Sequence, residues 1–224
     1  MNRIMKRLPK LASVAVLVVA AACTDRTSSL APAADEGQLA PPPMPSVVAR
    51  EAIVAEVVDA PMATGHGTFA AVYPSNAVTY QVNYDPTENA SFIFGVHMVT
   101  FPKYTICNPA TSGYGTSVWL NNCTKLTSSI TITATTWTDS QGRPQIDFAN
   151  AIRFYKNNYN QLPAIFLRDP AAVLSYWSRI DYCSGTGACV NELLNDSALA
   201  TQREPATGYL FRLIRHFSGY NVWA

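Results

Sequence analysis

From about Thr68 onward, apolar side chains recur at every second position in short runs, and clusters of turn-forming residues separate the runs. Val78, Tyr80, Val82 and Tyr84 alternate with Thr79, Gln81 and Asn83 until Asp85-Pro86 stops the pattern. Phe92, Phe94, Val96 and Met98 alternate likewise, and Ile130, Ile132 and Ala134 alternate with Thr131, Thr133 and Thr135 before Trp137. Further runs cover 145–148, 164–168, 173–182, 209–215 and 220–223. The intervening turn signals are Asp139-Ser140-Gln141-Gly142, Asp169-Pro170, Ser184-Gly185-Thr186-Gly187 and Pro205-Ala206-Thr207-Gly208. A strand points successive side chains to opposite faces, so a period of two means that one face is buried. Eight or so such strands, with no long 3.6-period segment between them, predict an all-β fold, an antiparallel β-sandwich over 69–224. A domain of that size buries roughly 70% of its unfolded surface, ample for a core of its own. One helical turn is expected, at 191–200.

The first 22 residues have a different pattern. Arg3, Lys6, Arg7 and Lys10 precede an apolar stretch from Leu11 to Ala22, and Cys23 follows three alanines. This is the layout of a secretory signal, too short to span a bilayer. Val19-Ala20-Ala21-Ala22-Cys23 resembles a bacterial lipobox, with Ala20 where Leu is usual. That resemblance implies cleavage before Cys23, lipid on its thiol and acylation of the new amino terminus, and multiple acyl chains anchor stably where one does not. Ordinary signal-peptidase cleavage after Ala22 is the alternative. Thr24 lacks the Asp that retains such proteins at an inner membrane, so the expected location is an envelope lipoprotein of the outer membrane.

Residues 23–68 are rich in Ala, Pro, Ser and Thr, include Pro41-Pro42-Pro43-Met44-Pro45, and are expected to form a disordered tether, with a marginal helix at 47–60. Whole, the chain has 16 basic and 15 acidic residues. Without residues 1–22 it keeps 12 basic residues against 15 acidic ones, a net charge of −3. The 14% charged fraction and the missing basic excess exclude a nucleic-acid partner.

With Cys23 assigned to lipid, Cys107, Cys123, Cys183 and Cys189 remain, an even number in an exported chain, which points to disulfides. Three pairings are open. Cys107 with Cys123 and Cys183 with Cys189 closes the shortest loops, stabilising by about 3 and about 2 kcal/mol. No CxxC occurs, and no metal site is expected of them.

From about Tyr80 to the end the chain resembles a group of uncharacterised bacterial lipoproteins with a ZU-five-like β-sandwich domain. The resemblance is carried by Asp85-Pro86, His97, Phe101-Pro102, Ile106-Cys107, Tyr114-Gly115, Trp119, Cys123, Gly142, Pro144, Asp147-Phe148, Arg153-Phe154 and His216-Phe217-Ser218-Gly219-Tyr220. In those proteins Gly-Ala usually follows the Phe-Pro turn, where Lys103-Tyr104-Thr105 stands here. Some eukaryotic relatives cleave themselves between Phe and Ser of His-Phe-Ser. The resemblance therefore makes His216 and Ser218 candidates for self-cleavage at Phe217-Ser218, Ser218 attacking the Phe217 carbonyl while His216 moves the proton. The other reading of the triplet is a turn into the last strand, with Phe217 in the core.

No GxSxG, HExxH, phosphate-loop or GxGxxG motif occurs, so no enzyme and no cofactor is expected. Asp139, Asp147, Asp169 and Asp181 could meet at a Ca²⁺ ion, though their spacing does not require it. Trp119, Trp137 and Trp177, with Tyr114, are candidates for an aromatic surface toward a sugar or peptide. The expected role is a membrane-anchored structural or interaction module, with carbohydrate or peptide binding as the alternative and self-cleavage third.

Overall fold

In the computed structural model, which describes residues 52–58, 73–184 and 188–223, the alternating runs become strands of two facing sheets. In chain order the strands are β1 (Ile53–Val54), β2 (Glu56–Val57), β3 (Val78–Tyr84), β4 (Ala90–Phe94), β5 (His97–Phe101), β6 (Ile130–Thr138), β7 (Pro144–Phe148), β8 (Ala164–Arg168), β9 (Arg179–Cys183), β10 (Cys189–Val190), β11 (Gln202–Glu204), β12 (Tyr209–Leu213) and β13 (Gly219–Trp223). One sheet has the order β1-β4-β5-β8-β12-β11 and the other β10-β9-β13-β7-β6-β3-β2. Every pairing is antiparallel except β1 with β4. The all-β sandwich is therefore as the period-two pattern predicts. The signal segment, Cys23 and most of the expected tether lie outside the described residues.

The sheets meet through the apolar phase of each strand. Phe92, Phe94, Val99, Phe101, Ile165, Leu167 and Leu210 of the first sheet face Ile132, Ala134, Ile146, Phe148, Ile180, Tyr220 and Val222 of the second, all buried in one cluster. Phe217, from the turn before β13, is the hub of this core. Its ring stacks on Phe148 at 4.0 Å and meets Phe101 and Phe154 edge to face. A smaller cluster of Ala164, Phe166 and Phe211 lies on the opposite face of β8 and β12.

Four local expectations change. The Phe92 to Met98 run is a hairpin, with Phe94 paired to His97 across Gly95 and Val96. Gly95 has φ +65°, and a side chain there would meet the Tyr80 hydroxyl at 2.9 Å, which suits the two-residue turn that takes Gly first. The turn shifts the phase, so the inward residues after it are His97, Val99 and Phe101, while Val96 is exposed. The 173–182 run is a single 3-10 turn (Ala172–Leu174), an exposed loop and then β9. The helical turn at 191–200 is a pair of 3-10 turns, Glu192–Leu194 and Ser197–Leu199, capped by the side chains of Asn191 and Asp196.

The fourth change is at the amino-terminal side. Residues 52–58, within the segment expected to be a marginal helix in the tether, are extended. β1 adds to the edge of one sheet and β2 to the edge of the other, with Ala55 buried at the crossing. Ala55 N–H donates to the Ile93 carbonyl at 2.9 Å and Val58 N–H to the Thr79 carbonyl at 3.0 Å. The β-branched residues Ile53, Val54, Val57 and Val58 suit an edge strand better than an isolated helix. The sheets thus take in residues upstream of position 69.

Both short-range disulfides form, Cys107–Cys123 and Cys183–Cys189. The second joins residues directly opposite in the β9–β10 ladder.

Candidate functional site

The site is built where 191–200 packs between the two sheets. Leu210, Arg212 and Ile214 point inward in phase, so the sequence sends a guanidinium into the core, where Arg212 is only 1% exposed. A buried cation needs an anion and carbonyl acceptors. Glu192 provides the anion, its Oε2 accepting from Arg212 Nη2, while Arg212 Nη1 donates to the Ile180 carbonyl at 3.0 Å. The other carboxylate oxygen of Glu192 is 2.9 Å from His216 Nε2. Burial alone would raise the Glu192 carboxyl, but the hydrogen bond and charge of His216, joined by Arg212, outweigh it and hold the group below the usual carboxylate range. The other ring nitrogen, His216 Nδ1, is buried without a hydrogen-bond partner.

The Cys107–Cys123 loop covers this cluster. Its turn is held by Val118 N–H on the Gly115 carbonyl and Asn121 N–H on the Val118 carbonyl. Buried Arg153 binds the Val118 and Asn121 carbonyls from beneath through one Nη1. That support presents Trp119, whose ring lies 3.7 Å from His216 and 17° from parallel. Tyr182 closes the corner edge-on to both rings.

Beside Trp119 is a cavity of about 230 Å³ lined by Thr116, Leu120, Tyr182, Val190, Leu199 and a polar group of Glu192, Asn195, Asp196 and Arg215. Asp196 Oδ2 accepts from Arg215 Nε at 2.9 Å and Nη2 at 2.8 Å, and both side chains are largely buried. An apolar wall with one charged pair beside it can hold a ring that is apolar on its face and polar at its edge. The volume lies below the roughly 300–1,000 Å³ of drug-sized pockets, so a single ring is the size that fits.

The residues singled out in the sequence fall in different places. Trp119 is at this cavity, but Trp137 packs against Tyr73 at 5.3 Å and Trp177 against Tyr176 in an exposed loop. The three tryptophans form no common surface. Asp139 turns onto Arg143, Asp147 accepts from the Tyr73 hydroxyl, Asp169 caps the turn at Ala172, and Asp181 pairs with Arg179. Among the described residues no three His, Cys, Asp or Glu side chains are placed to hold a metal ion. His97 is buried and accepts from the Arg168 N–H at 3.1 Å.

The His216-Phe217-Ser218 triplet leads into β13 with the Phe217 side chain in the core. Ser218 Oγ donates to the Cys183 carbonyl at 3.4 Å, while the His216 ring is committed to Glu192 and Trp119. The Tyr114 hydroxyl donates to the Phe217 carbonyl, its phenol kept protonated because burial pushes it well above the usual range.

Glu192, Arg212, Asp196 and Arg215 were not singled out in the sequence. The signal for one of them was present, since Arg212 falls on the inward phase between Leu210 and Ile214. An arginine there calls for a buried carboxylate, and nothing local says which one. Compared with known protein families, with curated proteins and with solved structures, the chain matches none.

Proposed function

We propose that the protein is an envelope lipoprotein, held at a membrane by lipid on Cys23, whose sandwich domain is a non-enzymatic module that binds a sugar ring beside Trp119. The observation that carries the binding role is the cavity, an apolar wall of Trp119, Leu120, Tyr182, Val190 and Leu199 with the Asp196–Arg215 pair beside it. A sugar has an apolar C–H face and vicinal hydroxyls. The face suits the wall, and adjacent hydroxyls suit a carboxylate acceptor next to a guanidinium donor. The two disulfides agree with an oxidising compartment outside the cytoplasm. The lipobox resemblance and Thr24 support an outer-membrane location.

Glycan-array screening, followed by titration of hits with Trp emission, tests the binding role. Asp196→Asn and Trp119→Ala should each weaken a hit by tenfold or more, about 1.4 kcal/mol, read at a temperature where far-ultraviolet dichroism shows each variant folded. A blank array, or hits indifferent to both substitutions, returns the domain to a structural or protein-interaction role. The anchor is tested separately, by acyl mass on Cys23 and by release of Cys23→Ser from the membrane fraction.

A further inference from the structure

The loop between β8 and β9 carries the most exposed aromatic residues among the described ones. Leu174 and Tyr176 are each 76% exposed and Trp177 is 75% exposed. They are held in place from below. Asp169 Oδ1 accepts from the N–H groups of Ala171 and Ala172, and Val173 is buried in the core. Arg203 Nη1 donates to the Ser175 carbonyl at 2.7 Å while its guanidinium lies 5.0 Å over the Tyr176 ring. Two residues past Trp177, the Arg179 guanidinium stacks at 4.2 Å on half-exposed Trp223. A braced loop that displays a leucine, a tyrosine and a tryptophan is an apolar projection with the Arg203 guanidinium at its base.

We propose that Leu174, Tyr176 and Trp177 are a membrane-contacting wedge, which seats the domain at the boundary between headgroups and acyl chains of a phospholipid bilayer. Trp and Tyr concentrate at that boundary because one end of each ring is apolar and the other polar. Arginine at the base of the wedge meets phosphate, since a guanidinium has five donors and Arg203 spends one on Ser175. The Tyr176 and Trp177 rings stand at 85° to one another, which does not present the flat platform a sugar chain stacks on but suits a fluid of acyl chains. The chain's own layout supplies the bilayer. Only the 28 residues from Thr24 to Glu51 separate Cys23 from the described fold, at most about 100 Å of chain. A domain held that close needs only a weak contact, because tethering supplies the local concentration.

This inference rests on the anchor reading only for proximity, so its test leaves the anchor out. The unit Pro41–Ala224 contains every described strand and lacks Cys23. It is mixed with vesicles of phosphatidylethanolamine and phosphatidylglycerol, some carrying brominated acyl chains, and followed by co-sedimentation and Trp emission. The expected result is saturable vesicle binding with quenching by the brominated chains. Changing Leu174, Tyr176 and Trp177 together to Ser should reduce binding at least tenfold, while Trp137→Phe leaves it unchanged. All three wedge residues are exposed, so the triple variant should keep the parent Tm. No binding at millimolar lipid, or equal binding by the triple variant, overturns the proposal. So does a dimer that the triple substitution abolishes, which assigns the patch to a second copy of the chain. Absence of acyl mass on Cys23 overturns the anchor without altering the vesicle result.

Discussion

At the scale of single residues, Glu192 sets the terms for its surroundings, because two buried basic side chains converge on it. Glu192→Gln leaves Arg212 in the core without an anion, and the expected loss is about 3–5 kcal/mol of unfolding free energy, read from urea denaturation. His97 acts through solvent exclusion. Burial pushes its imidazole down to about 4 from 6.5. Below pH 6.5 the unfolded chain therefore takes up a proton that the folded chain refuses until about pH 4, and stability falls as pH drops through that window. The loss reaches about 3 kcal/mol. His97→Gln, which can still accept from the Arg168 N–H, should flatten that part of the pH profile relative to the parent. Ser218 has a backbone carbonyl for a partner and His216 is held by Glu192. The expected result of prolonged incubation is one uncut species by intact mass, and a fragment ending at Phe217 would return self-cleavage to consideration.

At the scale of elements, the Cys107–Cys123 loop connects stability to the site. It carries Trp119, and Trp119 covers His216. Changing both cysteines to Ser should remove about 3 kcal/mol of stability and loosen Trp119, seen as a red shift and weaker near-ultraviolet dichroism before global unfolding. The elements also show what a sequence can and cannot disclose. β3 is legible from Val78 to Tyr84 because one face is apolar, the other is Thr, Gln and Asn, and Pro86 ends it. The β4–β5 hairpin is not, because its two-residue turn reverses the phase inside an unbroken apolar run, and Val96 then passes for a core residue. β10 and β11, with two and three residues, are too short to display a period and exist through their neighbours. β1 and β2 had the same disadvantage. Of the site, Trp119 could be picked out as an aromatic in a disulfide-closed loop. Glu192, twenty residues from Arg212, could not, because the sequence does not say which carboxylate a buried arginine will meet.

At the scale of the whole molecule, the sandwich has two open sides, and a short segment closes each. On one side 191–200 packs between β9 and β12 and sends Glu192 inward. On the other, residues 52–58 cross from sheet to sheet. A chain beginning at Tyr73 lacks that crossing strand, which bares the edges of β3 and β4 and empties the site of Ala55. At about 1 kcal/mol for each ladder hydrogen bond lost, the melting temperature should fall by roughly 5–10 °C. The bared edges should also raise aggregation, measurable by light scattering. The crossing strand has a mechanical consequence too. Any pull on the chain upstream of Ala52 enters the described fold through a segment whose two strands, β1 and β2, belong to different sheets, so the load reaches both layers. It runs along β1, parallel to its partner β4, so the linking bonds are sheared together instead of peeled one by one. The sandwich is thus gripped at its seam, the point from which a tether can tug without opening either sheet first.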